Sequence, residues 1–304
     1  MNQYKKYSNL FTSFLDKKSV KTDEILSEYV NFKVGGPADI LLIPKTKEQF
    51  IKSVSICREN EIPFYVIGNG SNILVRDGGF RGVVISLLEL NSIVVKGEKI
   101  VADCGAMLKN VSDAAKLSSL TGVEFACGIP GTIGGAVYMN AGAYGGEMRD
   151  IIESVEIIDE TGEIKILSNK KMKFKYRSSI AMEKGYTILS ATIELETGDV
   201  KTIKDLIADL TNKREDKQPL DYPSAGSTFK RPVGYFAGQL IEQAGLKGYT
   251  VGGAQVSEKH SGFVINKGSA TARDILDVIE HVQKTVKEKD GVDLHTEVRI
   301  IGED

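Results

Sequence analysis

Glycine recurs from Gly128 to Gly146, in GIPGTIGGAVYMNAGAYGG, too densely for an ordinary helix or strand. Each glycine inside a regular element costs about 0.5–1 kcal/mol; in return it allows positive φ and close approach of a ligand to the main chain. A second cluster, GNGSNILV from Gly68 to Val75, directly follows Pro63-Phe64-Tyr65-Val66-Ile67, an apolar run that predicts a buried strand. Both clusters offer consecutive backbone N–H groups with no side chain in the way. Ser71, Asn72, Thr132 and Asn140 stand beside them as side-chain donors to phosphate oxygens. Two such loops point to a ligand with two phosphates.

Neither loop fits a standard nucleotide fingerprint. Gly68-Asn69-Gly70-Ser71-Asn72-Ile73 has Ile where the dinucleotide motif needs Gly or Ala, and Gly131-Thr132-Ile133-Gly134-Gly135 misses its spacing. No Gly-Lys-Ser/Thr follows either loop, so a P-loop is excluded as well. The competing reading of either loop alone is a glycine-rich corner of a sheet, and the presence of both favours a ligand.

The 304 residues suffice for two or three domains with real cores, since 41% are hydrophobic. A formal net charge of -2 gives no basic field for DNA or RNA, so the expected partner is a small molecule and no nucleic acid. No stretch approaches the ~20 apolar residues of a membrane span. The N-terminus, MNQYKKYSNLF, lacks a signal-peptide core, and a cytoplasmic protein is expected. Cys57, Cys104 and Cys127 show no CxxC spacing, and His260, His281 and His295 no metal-ligand spacing; no metal site is implied.

Along the chain, Leu10, Phe11, Phe14, Leu15, Ile25, Leu26 and Tyr29 predict an amphipathic helical segment over 1–32. Thr46 as N-cap and Gln49 at the capping-box position predict a helix running to Ile62. Short strands follow from Gly82 to Asp103, with a hairpin turn at Lys96-Gly97-Glu98-Lys99 and a second at Glu160-Thr161-Gly162. A charged amphipathic helix over Asp199 to Lys217 suits a domain connector. This pattern divides the chain into an α+β unit over 33–198 and a smaller α/β unit over 199–304, with the last strand, about 294–302, expected to return to the first unit.

Outside the glycine loops, polar residues gather in Lys175-Tyr176-Arg177-Ser178-Ser179, Ala225-Gly226-Ser227-Thr228-Phe229-Lys230, Leu246-Lys247-Gly248, Lys259-His260 and around Glu297. Ser227 is no nucleophile elbow, because Phe229 stands where GxSxG needs glycine. The segments NFKVGGPAD, IGNGSNILV, GIPGTIGGAVYMNAGAYGGE, KYRSS, YPSAGSTFKRP, LIEQAGLKG, GGAQVSEKHSGFVIN and LHTEVRIIG follow one another as in the UDP-N-acetylenolpyruvoylglucosamine reductases. The chain resembles that family nearly end to end. Only SIAMEKG separates Arg177-Ser178 from Tyr186, so the resemblance is to the shorter, type II branch, which lacks the inserted tyrosine loop.

The resemblance implies FAD held noncovalently in a vanillyl-alcohol-oxidase-type (PCMH) domain of two α/β subdomains, followed by a substrate-binding domain. On it Gly68, Asn69, Gly70, Ser71, Asn72, Ile129, Pro130, Gly131, Thr132, Gly134, Gly135, Asn140, Gly142 and Ala143 would hold the cofactor. It further implies that NADPH reduces FAD, which passes hydride to C3 of the enolpyruvyl group, Ser227 giving the proton at C2 and Arg177 and Glu297 stabilising the enol intermediate. A glutamate beside an anionic intermediate must be neutral to help it, which predicts a raised pKa for Glu297. Lys217, Lys230, Arg231, Lys247 and His260 are the expected substrate contacts, Arg231 standing where the other branch has asparagine. A monomer is expected. Two other readings stay open: an oxidoreductase of the same fold acting on a hydroxy acid or sugar alcohol, and a flavin-binding module without catalysis.

Overall fold

The structure, a computed structural model, describes residues 4–304. Its first layer is a four-stranded sheet in the order Val20–Ile25, Pro37–Leu42, Phe80–Ser86, Phe64–Ile67. The last three strands run parallel to one another. Parallel strands covered on both faces read as continuous apolar runs, and Ile40, Leu41 and Leu42 are completely buried. Helix Lys47–Glu59 packs Phe50, Val54 and Cys57 against this sheet. Thr46 caps it, accepting from the Gln49 N–H at 3.2 Å.

A five-stranded antiparallel sheet follows, in the order Ile164–Ser168, Ile152–Ile158, Thr187–Glu194, Lys99–Asp103, Ile93–Lys96. Its inner face shares one apolar core with the first sheet, through Ile100, Ala102, Val155, Ile157, Leu189 and Ile193. Helix Ala272–Asp290 covers the third sheet, Thr250–Val251, Ala254–Val256 and Val264–Asn266, with Ile275, Val278, Ile279, Val282 and Val286 on its buried stripe. The first turn of that helix is tied to the chain between the first sheet's strands: Asp77 accepts from Ala272 N–H at 2.8 Å and Arg273 N–H at 3.0 Å.

The N-terminal segment departs from the helical expectation. Among the described residues its helical turns are confined to Lys5–Tyr7, Ser8–Phe11, Lys17–Ser19 and Leu26–Tyr29, while Val20–Ile25 is a strand antiparallel to Pro37–Leu42. Val20, Thr22 and Ile25 are β-branched, and pairing with a distant strand overrides the local helical spacing.

The end of the chain positions the site. Glu297 N–H donates to the Thr228 carbonyl at 2.8 Å, and Phe229 bridges Thr296, so this segment lies beside the Ser227 loop. Strand Arg299–Ile301 then pairs in parallel with Ile73–Val75, immediately after the first glycine cluster. One short stretch thus touches both units.

Candidate active site

The two glycine clusters face one cavity of about 310 Å³, lined among others by Gly68, Asn69, Gly70, Ser71, Asn72, Ile129, Gly131, Thr132, Gly134 and Gly135. Two asparagines hold its parts together. Asn69 Nδ2 donates to the Pro130 carbonyl at 2.8 Å, joining one loop to the other, and Asn72 Nδ2 donates to the Glu297 carbonyl at 3.2 Å. Among the described residues no backbone carbonyl accepts from the N–H of Asn69, Gly70 or Ser71. These are free donors beside a cavity, the arrangement a phosphate requires.

The glycines divide into two kinds. A Cβ on Gly68 would lie 2.2 Å from Thr132 Oγ1, so this glycine serves the close contact of the two loops. At Gly131 and Gly135 an added Cβ would meet nothing closer than 3.8 Å, although both line the cavity. Their bareness leaves room for something other than protein. The site fits a long cofactor carrying a diphosphate, with its phosphates on backbone donors and an apolar body against Val66, Leu87, Ala136 and Ile188.

Four residues expected at the cofactor lie outside this lining. Pro130 contributes its carbonyl to Asn69. Asn140 is fully buried, and its amide is already committed: Nδ2 donates to Glu147 Oε2 at 2.9 Å and the Lys175 carbonyl at 3.0 Å, while Oδ1 accepts from Arg149 N–H at 2.9 Å. Gly142 and Ala143 form a two-residue ladder with Gly146 and Glu147. Asn140 and Gly142 instead support Arg177, since Asn140 braces the turn beneath it and the Gly142 carbonyl accepts from Arg177 Nη2 at 3.1 Å.

Arg177 sits in a tight turn, closed by Lys175 N–H to the Ser178 carbonyl at 2.9 Å, with φ of +50°. Left-handed backbone at a non-glycine residue costs about 1–2 kcal/mol and persists where the surroundings hold it. Here it turns the guanidinium onto Glu297, whose Oε1 accepts from Nε at 2.7 Å. The pair is well shielded, with side chains 19% and 12% exposed. Burial pushes the Glu297 carboxyl above its ordinary value, against the opposing pull of Arg177 and Lys230.

Arg177 and Glu297 also line a second cavity of about 650 Å³, together with Ser227, Arg231, Phe236, Gln239, Glu242 and His260. His260 Nδ1 accepts from Gly262 N–H at 3.1 Å, leaving the neutral ring's proton on Nε2, and burial lowers its pKa. Arg231 lies with its guanidinium carbon 3.9 Å from the centre of the Phe236 ring. A third cavity, about 260 Å³, contains Tyr65, Asn72, Met139 and Arg299 from the first lining, Arg177 and Glu297 from the second, and Lys230. Lys217 is exposed near the end of helix Val200–Lys217 and lines none of the three. Lys247 is ion-paired at 2.7 Å with Glu242, which does line the second cavity.

Tyr65, Tyr138, Met139 and Arg299 went unread as site residues in the sequence. For Arg299 a signal existed: it stands two positions after Glu297, and a period of two puts both side chains on one face of an extended segment.

This architecture and cavity define an FAD-binding oxidoreductase of mixed α+β fold. The FAD binding domain model matches residues 38–168, and that of the UDP-N-acetylenolpyruvoylglucosamine reductase C-terminal domain matches 218–301. The UDP-N-acetylenolpyruvoylglucosamine reductases of Clostridium perfringens and Clostridium beijerinckii are 59% and 58% identical over 304 residues, the whole of each chain. The crystal structure of the Thermus caldophilus reductase superposes with a TM-score of 0.79 at 33% identity, covering 92% of this chain and 97% of that one. A Phl p 4 glucose oxidase variant, at 15% identity and a TM-score of 0.52 over 70% of this chain and 50% of its own, shares the fold alone. The chain belongs to the UDP-N-acetylenolpyruvoylglucosamine reductase family.

Proposed function

We propose that the protein catalyses NADPH-dependent reduction of UDP-N-acetylenolpyruvoylglucosamine to UDP-N-acetylmuramate, a step of peptidoglycan precursor synthesis. The observation that carries this reading is the Arg177–Glu297 pair, at the junction between the glycine-loop cavity and the Ser227 cavity. The chemistry that bound FAD supplies is hydride transfer, taken from NADPH and delivered to C3 of the enolpyruvyl ether. The free N–H groups of Asn69, Gly70 and Ser71 would hold the cofactor's diphosphate, with the bare Gly131 and Gly135 leaving room for it on the facing loop.

The chain's own residues manage charge and the proton. Hydride addition at C3 leaves electron density at C2, delocalised into the neighbouring carboxylate. Arg177 binds that carboxylate, its guanidinium matching two oxygens at once. In doing so it releases Glu297. A buried carboxyl without its cation takes up a proton, and Glu297 then donates a hydrogen bond to the enolate. Ser227, in the same cavity, gives the proton at C2, which a serine can do only to a strongly basic carbon in a positioned site.

Lys230, Arg231 and His260 line the cavities that receive the UDP-sugar, the two cations serving its diphosphate. Lys217 lines none of these cavities, and Lys247 reaches the second through its ion pair with Glu242. The flavin-binding unit spans about 33–198 and the substrate unit the remainder, with the last strand shared. All groups named come from one chain, which suits a monomer, and the weak net charge of -2 suits a cytoplasmic enzyme without a nucleic-acid partner. Anaerobic NADPH should bleach the bound flavin and the enolpyruvyl UDP-sugar should restore its colour, whereas lactate should leave the oxidised flavin unbleached. Bleaching of the oxidised flavin by lactate, with no reoxidation of the reduced flavin by the UDP-sugar, would favour the hydroxy-acid alternative.

A further inference from the structure

The glycine-loop cavity has one charged residue in its lining, Arg299. No carboxylate pairs with it among the described residues; the Tyr138 ring lies 5.8 Å from its guanidinium carbon, and the Tyr65 hydroxyl interacts with it. An exposed arginine is ordinary on a surface, but this one opens into a cavity lined mainly by glycine and apolar residues. The backbone fixes its place firmly. Arg299 N–H donates to the Asn72 carbonyl at 3.0 Å, and the residue stands opposite Ile73 in the parallel ladder.

Its position along the cavity distinguishes two roles. The free N–H groups of Asn69, Gly70 and Ser71 lie in the glycine loop, where a diphosphate finds donors without a side-chain cation. Arg299 lines both this cavity and the one containing Arg177 and Glu297, so it marks the end where the cofactor must meet its substrate. On the functional reading, that end would take the redox-active ring. Bound FAD would accept hydride from NADPH, two electrons and one proton, releasing NADP⁺ and gaining one negative charge that a nearby cation would offset. Apart from Arg299 the cavity lining has no cation to meet that charge, and a low-dielectric wall makes such a counter-charge count for more than it would in water.

We propose that Arg299 is the counter-ion of the reduced flavin, favouring the reduced state and setting the redox potential, with little share in holding the cofactor. The proposal rests on the functional reading only for the direction in which the cavity is filled, and its test needs neither NADPH nor UDP-sugar. Wild type, Arg299→Met and Arg299→Lys are loaded with FAD, and two measurements are made on each: the two-electron midpoint potential, by anaerobic titration against a reference dye, and the FAD dissociation constant, by fluorescence. The expected result for Arg299→Met is a roughly tenfold loss in the reduced-to-oxidised equilibrium, about 30 mV more negative, with FAD affinity little changed. Arg299→Lys keeps the charge and should recover most of the potential. An unchanged potential in Arg299→Met overturns the proposal, as does failure of either variant to retain FAD, which would assign the arginine to the diphosphate. A wild-type enzyme that failed to reduce the UDP-sugar would sink the functional reading and leave this measurement standing.

Discussion

Glu297 carries the least ordinary electrostatics of the site. Its side chain is 12% exposed and it accepts from Arg177 at 2.7 Å, yet burial outweighs that cation and Lys230, and its pKa lies above the ordinary 4.5. The folded protein therefore holds this proton more tightly than the unfolded chain does. The stability it contributes is fully present below the unfolded value and is lost as pH rises through the folded one. Glu297→Gln removes the titration while keeping a neutral hydrogen-bonding group. Thermal melts across that window should show the variant gaining on wild type as pH rises, then a constant difference above it. A difference independent of pH would mean that the carboxyl is not perturbed by its surroundings. Turnover of the variant should fall, and near-wild-type turnover would remove Glu297 from acid or hydrogen-bond-donor duty. Neighbouring residues show why side-chain roles are harder to read than residue types. Asn140 carries the right chemistry for a phosphate, but all its polar atoms are taken by Glu147, Lys175 and Arg149.

Elements whose determinants are local were legible in the sequence. Thr46 caps the helix expected to follow it and Asp199 caps the one expected to begin there, because a cap needs only the next few residues. The hairpin turning between Lys96 and Lys99 is equally local. Strand Val20–Ile25 escaped because its pairing partner, not its own periodicity, makes it a strand. The glycine clusters were visible as clusters, but only packing separates Gly68, pressed against Thr132, from Gly131 and Gly135, which border open space. Helix Ile133–Tyr138 offers a test of that division. Gly135→Ala places a methyl in the cavity at no cost to the helix, alanine being the better helix former by about 1 kcal/mol. Circular dichroism should be unchanged and flavin fluorescence titration should show weakened FAD binding. Wild-type affinity in this variant would show that the cofactor does not approach the helix there.

At the scale of the whole molecule, three cavities meet at residues shared between their linings. Arg299, Asn72, Tyr65 and Met139 join the first to the third, and Arg177 and Glu297 join the third to the Ser227 cavity. The linkage depends on the chain's end returning to pair with Ile73–Val75, a contact that no local pattern encodes. The central claim is that hydride reaches the substrate from the glycine-loop side while its proton comes from Ser227. Single-turnover stopped-flow measurement of the two half-reactions in Ser227→Ala tests it most directly. Reduction of bound FAD by NADPH should proceed at the wild-type rate, and reoxidation by UDP-N-acetylenolpyruvoylglucosamine should slow by roughly 10²- to 10⁴-fold, the usual worth of a general acid. Reoxidation at the wild-type rate, or equal loss of both half-reactions, would contradict the account.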